Sequence, residues 1–364
     1  MTTDTAPMPL RVDCMPERAP AARACPVCGG ADVAVRYGAC RDLLFATPGE
    51  FSVYECETCG ALSCRPQITP DEFGVYYRAS YYPTAEQILR RRQSRGPRQA
   101  LKRWALRRFW GPARRDTVLR RAARRALSVL SNELRMAVPV CGGGRILEIG
   151  CSSGEQLYIL QQYGWQVSGI EPSADACSEA RKLGVPVQER SLENAELPAN
   201  GCDVIELFHV FEHLADPASS LAILRDALAP GGRIILTLPN GLSLGLKLFG
   251  RYWRGLEVPR HYATYTPRTL RLLCGRLGLR VCRVRNLVAP EVIVGSIKFA
   301  LKQNRPATDP PSAASAEKCG ARYRPDRRLR NLAGRAVRHV IALCLLPGAL
   351  LGRGEVMQVE ICRD

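Results

Sequence analysis

At 364 residues, with 46% hydrophobic and 24% charged side chains, the chain is long enough for one sizeable core plus a smaller module, and too apolar to be disordered as a whole. Its formal net charge of +18 is concentrated rather than spread: residues 90–125 hold fifteen Lys or Arg against one acid, Asp116, and residues 318–338 hold eight against Asp326. That distribution argues against a uniformly basic binding face, and the longest apolar run, 340–351, is interrupted by Pro347 and Gly348 and too short to span a bilayer.

Residues 1–20 carry Pro7, Pro9, Pro16 and Pro20 among small and polar residues and read as a mobile arm. No apolar secretion segment is present up to Ala24, so the sixteen cysteines point to a reducing cytoplasm. Residues 21–70 read as a small zinc-ribbon-like module. Cys25-Pro-Val-Cys28 and Cys56-Glu-Thr-Cys59 are separated by 27 residues, and each pair is followed by a glycine, Gly29 or Gly60. Two such knuckles place four thiolates in a tetrahedron around one structural Zn2+ with no open position, leaving Cys40 and Cys64 as spares.

Residues 71–140 read as a basic helical connector, with Leu101, Ala105, Val118, Ala122, Leu127 and Leu130 at helical spacing. From Gly142 the texture changes to short apolar strands at 145–149, 166–170, 203–207 and 233–238, alternating with amphipathic helices. A helix at 267–277 and a strand at 280–287 follow, so residues 141–290 form an α/β core with a parallel sheet whose ligands lie at the carboxyl ends of the strands. Residues 291–364 add an insertion, an amphipathic segment and a closing strand at 356–362.

The segment Leu147-Glu148-Ile149-Gly150-Cys151-Ser152-Ser153-Gly154 runs from a strand through a glycine-bearing turn into a helix, which brings backbone N–H groups close to a ligand. Glu171, 21 residues beyond Gly150, ends the next strand, where a carboxylate can accept hydrogen bonds from ribose hydroxyls. The dinucleotide-binding spacing Gly-x-Gly-x-x-Gly is absent, because positions 152 and 153 are both Ser.

This stretch resembles the class I S-adenosylmethionine-dependent methyltransferases. The resemblance continues in order through Glu171-Pro172-Ser173, Ser191-Leu192-Glu193-Asn194, Cys202-Asp203-Val204-Ile205, Phe208-His209-Val210-Phe211-Glu212-His213-Leu214 and Leu228-Ala229-Pro230-Gly231-Gly232-Arg233. It implies a Rossmann-like sheet flanked by helices and S-adenosylmethionine as cofactor. It also implies that Glu148, Gly150, Cys151, Ser152 and Gly154 surround the methionine part, that Glu171 and Pro172 meet the ribose, that Ser191, Leu192 and Glu193 flank adenine, and that Phe208 completes the pocket.

Methyl transfer needs alignment more than covalent help, but a hydroxyl or carbon acceptor must lose a proton to a nearby base. His209 and His213 follow the 203–207 strand, and His261 sits in Val258-Pro-Arg-His-Tyr-Ala-Thr-Tyr-Thr-Pro267. That run resembles the segment that closes over the acceptor in small-molecule members of the family. All three histidines are therefore candidate catalytic residues; His261, Tyr262 and Tyr265 either line the acceptor pocket or pack the loop against the helix beginning near Pro267. The plainer alternative is that Glu212 and His213 only fix the following loop by hydrogen bonds.

No Asn-Pro-Pro-Tyr-type segment follows the 203–207 strand, which disfavours exocyclic N-methylation of a base. A cysteine-rich N-terminal module resembles deoxysugar C-methyltransferases more closely than ribosomal RNA guanine methyltransferases. The expectation is O- or C-methylation of a small-molecule, glycan or lipid-linked acceptor, ahead of an RNA methyltransferase and of a non-catalytic cofactor-binding partner protein. The Arg-rich run with Trp104, Phe109 and Trp110, together with 340–351, suggests peripheral contact with an anionic membrane on its cytoplasmic side. RNA is the competing partner for the same charges.

Overall fold

The computed structural model describes residues 24–69, 72–76, 83–93, 100–101, 104–105, 108, 117–128, 143–302 and 328–364. The arm at 1–20, Phe109, Trp110, Leu130, all of 303–327 and much of the Arg-rich run lie outside the described residues.

The cysteine module is a small antiparallel sheet of β1 (Val33–Cys40), β2 (Phe51–Cys56) and β3 (Leu62–Arg65). The main sheet contains β4 (Gly144–Ile149), β5 (Trp165–Ile170), β6 (Val187–Gln188), β7 (Cys202–Phe208) and β8 (Leu228–Pro239), all parallel. The strands expected from the sequence are present, each extended by a residue or more. The two-residue β9 (Ala263–Thr264) joins the module rather than the main sheet. Two further strands complete the main sheet: β11 (Val356–Arg363) runs antiparallel to β8, and β10 (Leu279–Leu287) antiparallel to β11.

Strand order in the main sheet is β10-β11-β8-β7-β4-β5-β6. After β4 the chain fills one side of the sheet with β5 and β6, then crosses back to the other side of β4 with β7. The carboxyl ends of β4 and β7 therefore open a crevice at the switch point. The strands are apolar on both faces because helices cover both. Leu147, Ile149, Ile205, Leu207, Leu221, Leu224 and Leu270 share one cluster, and Ile146, Trp165, Val204, Ile235, Leu157 and Leu160 share the other.

Local signals set the helix starts. Ser173 accepts from Ala176 N–H ahead of the Ala174–Lys182 helix, and Asp216 accepts from Ala218 and Ser219 N–H ahead of Pro217–Ala227. A reciprocal Thr266–Thr269 capping box opens Pro267–Gly275.

The module is not a bead on a linker. β9 pairs with β3 through Leu62–Thr264 and Ser63–Ala263, and Cys64 N–H donates to the Tyr262 carbonyl at 2.9 Å. Cys25, Val27, Cys56, Cys59 and Ala61 pack in the same cluster as the main-sheet core. Sequence order hides this contact, because a two-residue strand carries no periodicity. At the far edge, the Cys282 and Cys362 sulfurs meet between β10 and β11. The long Arg328–Leu350 helix buries Ala342 and Ala349 but leaves Val337, Val340 and Leu343 exposed.

Candidate functional site

Gly150, Ser152 and Gly154 all have left-handed backbone, with φ of 65°, 53° and 71°. A side chain at Gly150 would place its Cβ 2.5 Å from Val210 Cγ2, so only glycine lets the turn pass beneath the 208–213 segment. Gly150 and Cys151 N–H both donate to the Ile170 carbonyl, at 2.7 and 3.1 Å. The turn is thus stitched to the end of β5, where Glu171 begins the next loop.

Glu171 is buried and fixes both loops: its Oε2 accepts from Ser152 N–H at 2.9 Å and its Oε1 from Ser173 N–H at 3.0 Å. A carboxylate offers about four lone-pair directions, so each oxygen retains one for a further donor. Burial raises its carboxyl above the usual range against the pull of those two amides. Pro172 follows directly. Beyond β6, Ser191 opens the Leu192–Asn194 turn, where Leu192 is buried in the core and Glu193 is exposed.

A second carboxylate pair lies beneath the turn. Glu148 on β4 and Glu206 on β7 are register partners on adjacent parallel strands, and both are buried. Gln156 Nε2 donates to Glu206 Oε2 at 2.7 Å, while Glu148 Oε2 and Glu206 Oε1 have no hydrogen-bond partner. Burial raises both carboxyls, and Glu148 is raised further by Glu206 and Glu171. Glu206 was not anticipated from the sequence. The one available signal was an acid between the apolar Ile205 and Leu207 of the 203–207 strand.

Three of the four histidines converge beyond β7. His209 Nδ1 meets Glu212 Oε1 at 3.0 Å, and His261 Nε2 lies 4.0 Å from the same oxygen. His213 Nδ1 bonds the Arg260 carbonyl at 2.9 Å, and His261 Nδ1 bonds the Gly255 carbonyl at 2.8 Å. The His213 and His261 rings stand edge-to-face, 4.6 Å apart. Glu212 is buried; burial opposes its ionisation, yet the His209 hydrogen bond and the three imidazoles bring its carboxyl down to about 2. Burial and the neighbouring His261 bring His213 down to about 4. His209 has φ 53° and is about a third exposed (34%), whereas His261 is buried.

Tyr262 and Tyr265, read from the sequence as either pocket lining or loop packing, are core side chains. Tyr262 donates through its hydroxyl to the Ile68 carbonyl at 2.9 Å, pinning the module. Tyr265 is fully buried, 5.0 Å from the Phe211 ring. Phe208 is half-buried at the end of β7, edge-on to His209 at 4.9 Å.

The four module thiols come together as the spacing predicts. Cys25 and Cys59 Sγ lie 3.6 Å apart, as do Cys28 and Cys56, and all four sulfurs fall within 4.8 Å of one another, a set that can hold a metal ion. Val27 and Gly30 N–H point at the sulfurs of Cys25 and Cys28, each at 3.4 Å. Gly29 and Gly60 supply the positive φ that closes each knuckle, 75° and 78°.

Residues 112–284 match the family model described as a methyltransferase domain. The ubiquinone biosynthesis O-methyltransferase of Aeromonas salmonicida (strain A449) is 33% identical over 105 residues, 27% of this chain and 44% of that protein. A probable S-adenosylmethionine-dependent methyltransferase of Mycolicibacterium smegmatis is 30% identical over 105 residues, covering 28% and 41%. The chain thus spans less than half the length of these curated relatives. Among solved structures, an S-adenosylmethionine-dependent methyltransferase from Archaeoglobus fulgidus aligns over 66% of this chain and 94% of its own, at 19% identity and a TM-score of 0.41. The match to a methyltransferase-domain model thus spans residues 112–284, and the main sheet has the Rossmann-like strand order that the motifs imply.

Proposed function

We propose that the protein is a class I S-adenosylmethionine-dependent methyltransferase that methylates an oxygen of a small-molecule acceptor. The carrying observation is the 148–154 turn at the switch point, held by Glu171 and closed by the Gly150–Val210 contact, inside the segment matched as a methyltransferase domain. Glu148, Gly150, Cys151, Ser152 and Gly154 would hold the methionine part, Glu171 and Pro172 the ribose, Ser191, Leu192 and Glu193 the adenine edge, with Phe208 as a wall. The unpartnered Glu148 Oε2 and the remaining lone pairs of Glu171 fit a ligand bearing an ammonium group and hydroxyls. When bound, that cofactor supplies an electrophilic methyl group on a sulfonium sulfur.

The chain's own part is alignment and proton removal. If Glu212 accepts from His209 Nδ1–H, His209 Nε2 presents a lone pair to an acceptor hydroxyl, and Glu212 fixes the tautomer. His213 and His261 are held by backbone carbonyls and shape the same wall. Likeness to O-methyltransferases supports oxygen as the acceptor atom. A glycan or lipid-linked acceptor is compatible with this reading, and RNA is less so.

The four thiolates fit one structural Zn2+. No described helix is long and apolar enough to cross a membrane. The exposed Trp104, Val337, Val340 and Leu343, beside Arg-rich sequence, support peripheral contact with an anionic bilayer. Co-sedimentation with anionic liposomes tests that contact, with absence of sedimentation counting against it.

Transfer of labelled methyl from S-adenosylmethionine to a panel of phenols, catechols and sugar hydroxyls tests the activity. Labelling of a hydroxylated compound, reduced at least tenfold by His209→Ala, is expected. Transfer to RNA alone would overturn the small-molecule reading.

A further inference from the structure

We propose that Glu212, His213 and His261 form a second metal site, for a divalent first-row transition ion that binds an acceptor hydroxyl. One atom from each side chain lies within 4.8 Å of the other two, close enough for a single ion to bridge them.

The tautomers are set by the backbone. His261 gives its Nδ1 to the Gly255 carbonyl and His213 gives its Nδ1 to the Arg260 carbonyl, so the ligating nitrogen of each would be Nε2. Such carbonyl anchors are the usual second contacts of metal-ligating imidazoles, because they fix ring orientation and raise basicity. His261 Nε2 faces Glu212 Oε1 at 4.0 Å, too far for a hydrogen bond. His209 orients the carboxylate from the other side, and Glu212 Oε2, fully buried, has no hydrogen-bond partner. A buried carboxylate oxygen in that condition is costly unless a cation sits against it.

The donor set selects the ion. Two imidazoles and one carboxylate suit Zn2+, Mn2+ or Fe2+ and leave coordination positions open, whereas Mg2+ prefers oxygen ligands and Ca2+ a larger oxygen cage. The four-thiolate site differs in kind, being soft, four-coordinate and closed. The Glu212 turn also lies in the right place, since Val210, two residues earlier, packs over Gly150 of the cofactor turn. The ion would act as a Lewis acid on an acceptor bearing a hydroxyl with a neighbouring oxygen, which can chelate it. With the ion in place, the acceptor hydroxyl would give its proton to His209 Nε2, breaking O–H and forming N–H, and the ion would offset the negative charge left on the oxygen. That role rests on the methyltransferase reading; the existence of the site does not.

Mn2+ binding to the full-length, zinc-loaded protein, read by electron paramagnetic resonance, tests the site, because Mn2+ avoids thiolates. One Mn2+ per chain is expected, with nitrogen modulation of its spin echo from two coordinated imidazoles. Glu212→Gln and, separately, His261→Gln should each weaken binding at least ~100-fold, beyond the range seen for outer contacts of a metal site. Calorimetric binding of S-adenosylmethionine in each variant checks the fold. Absence of Mn2+ binding to the wild type, a spectrum without coordinated nitrogen, or unchanged affinity in both folded variants overturns the proposal. If neither variant folds, the wild-type spectrum decides. Mn2+ binding without any binding of S-adenosylmethionine would leave the site standing and count against the methyltransferase reading alone.

Discussion

Asp42 of the cysteine module holds Arg260 through two hydrogen bonds, Nη1 to Oδ2 at 3.0 Å and Nη2 to Oδ1 at 2.8 Å, with both side chains out of contact with solvent. Arg260 also donates from Nε to Glu257 at 3.0 Å, and its carbonyl is the atom that anchors His213. The module therefore braces the segment that presents the histidine cluster.

Removing one partner of this pair strands a buried charge. Asp42→Ala should destabilise the protein by about 3–5 kcal/mol, whereas Asp42→Leu combined with Arg260→Met and Glu257→Gln, which leaves none of the three charges buried, should recover part of the loss. Urea unfolding of the single and triple variants measures both. A loss under ~1 kcal/mol for Asp42→Ala would show that the brace is not needed.

Burial raises the Glu206 carboxyl from its ordinary 4.5 to about 8. The native state then keeps a proton that the unfolded chain has already released, so the stability this group contributes in acid is lost as pH rises through about 8. His213 works in the opposite sense, but only below its ordinary value of 6.5. Between pH 6.5 and 8, wild-type stability should fall relative to Glu206→Gln, which carries no titrating proton. Parallel unfolding curves across that range would contradict the buried, protonated carboxyl.

The four-cysteine cluster predicts one zinc per chain by metal analysis. Because Cys25, Cys56 and Cys59 share a core with the main sheet, Cys59→Ser should remove the metal and also lower the thermal midpoint of the whole molecule. Loss of zinc with an unchanged midpoint would mean that the module docks without it.

The legible parts of the sequence were those with local signatures. Apolar runs located the main-sheet strands to within a few residues, save that β8 begins five residues before its expected start, and the paired knuckles gave the thiolate cluster. The glycine spacing located the turn, although Val210 as the reason for Gly150 needed coordinates. What was hidden depends on distant pairing: β9 on β3, Asp42 on Arg260, and Glu206 beside Glu148. For Tyr262 and Tyr265 the sequence leaves pocket lining and loop packing equally open, because a polar aromatic in a loop carries no sign of which wall it joins; here both are core side chains. The three histidines were individually visible, but only Glu212 shows that they form one cluster.

Calorimetric titration of the full-length protein with S-adenosylmethionine tests the central claim most directly. The predicted result is one cofactor bound per chain, with binding weakened about 10- to 100-fold by Glu171→Ala through loss of charge-assisted hydrogen bonds. Gly150→Val should weaken it further, because its side chain would collide with Val210. A folded wild type that takes up NAD and gives no heat with S-adenosylmethionine would contradict the account.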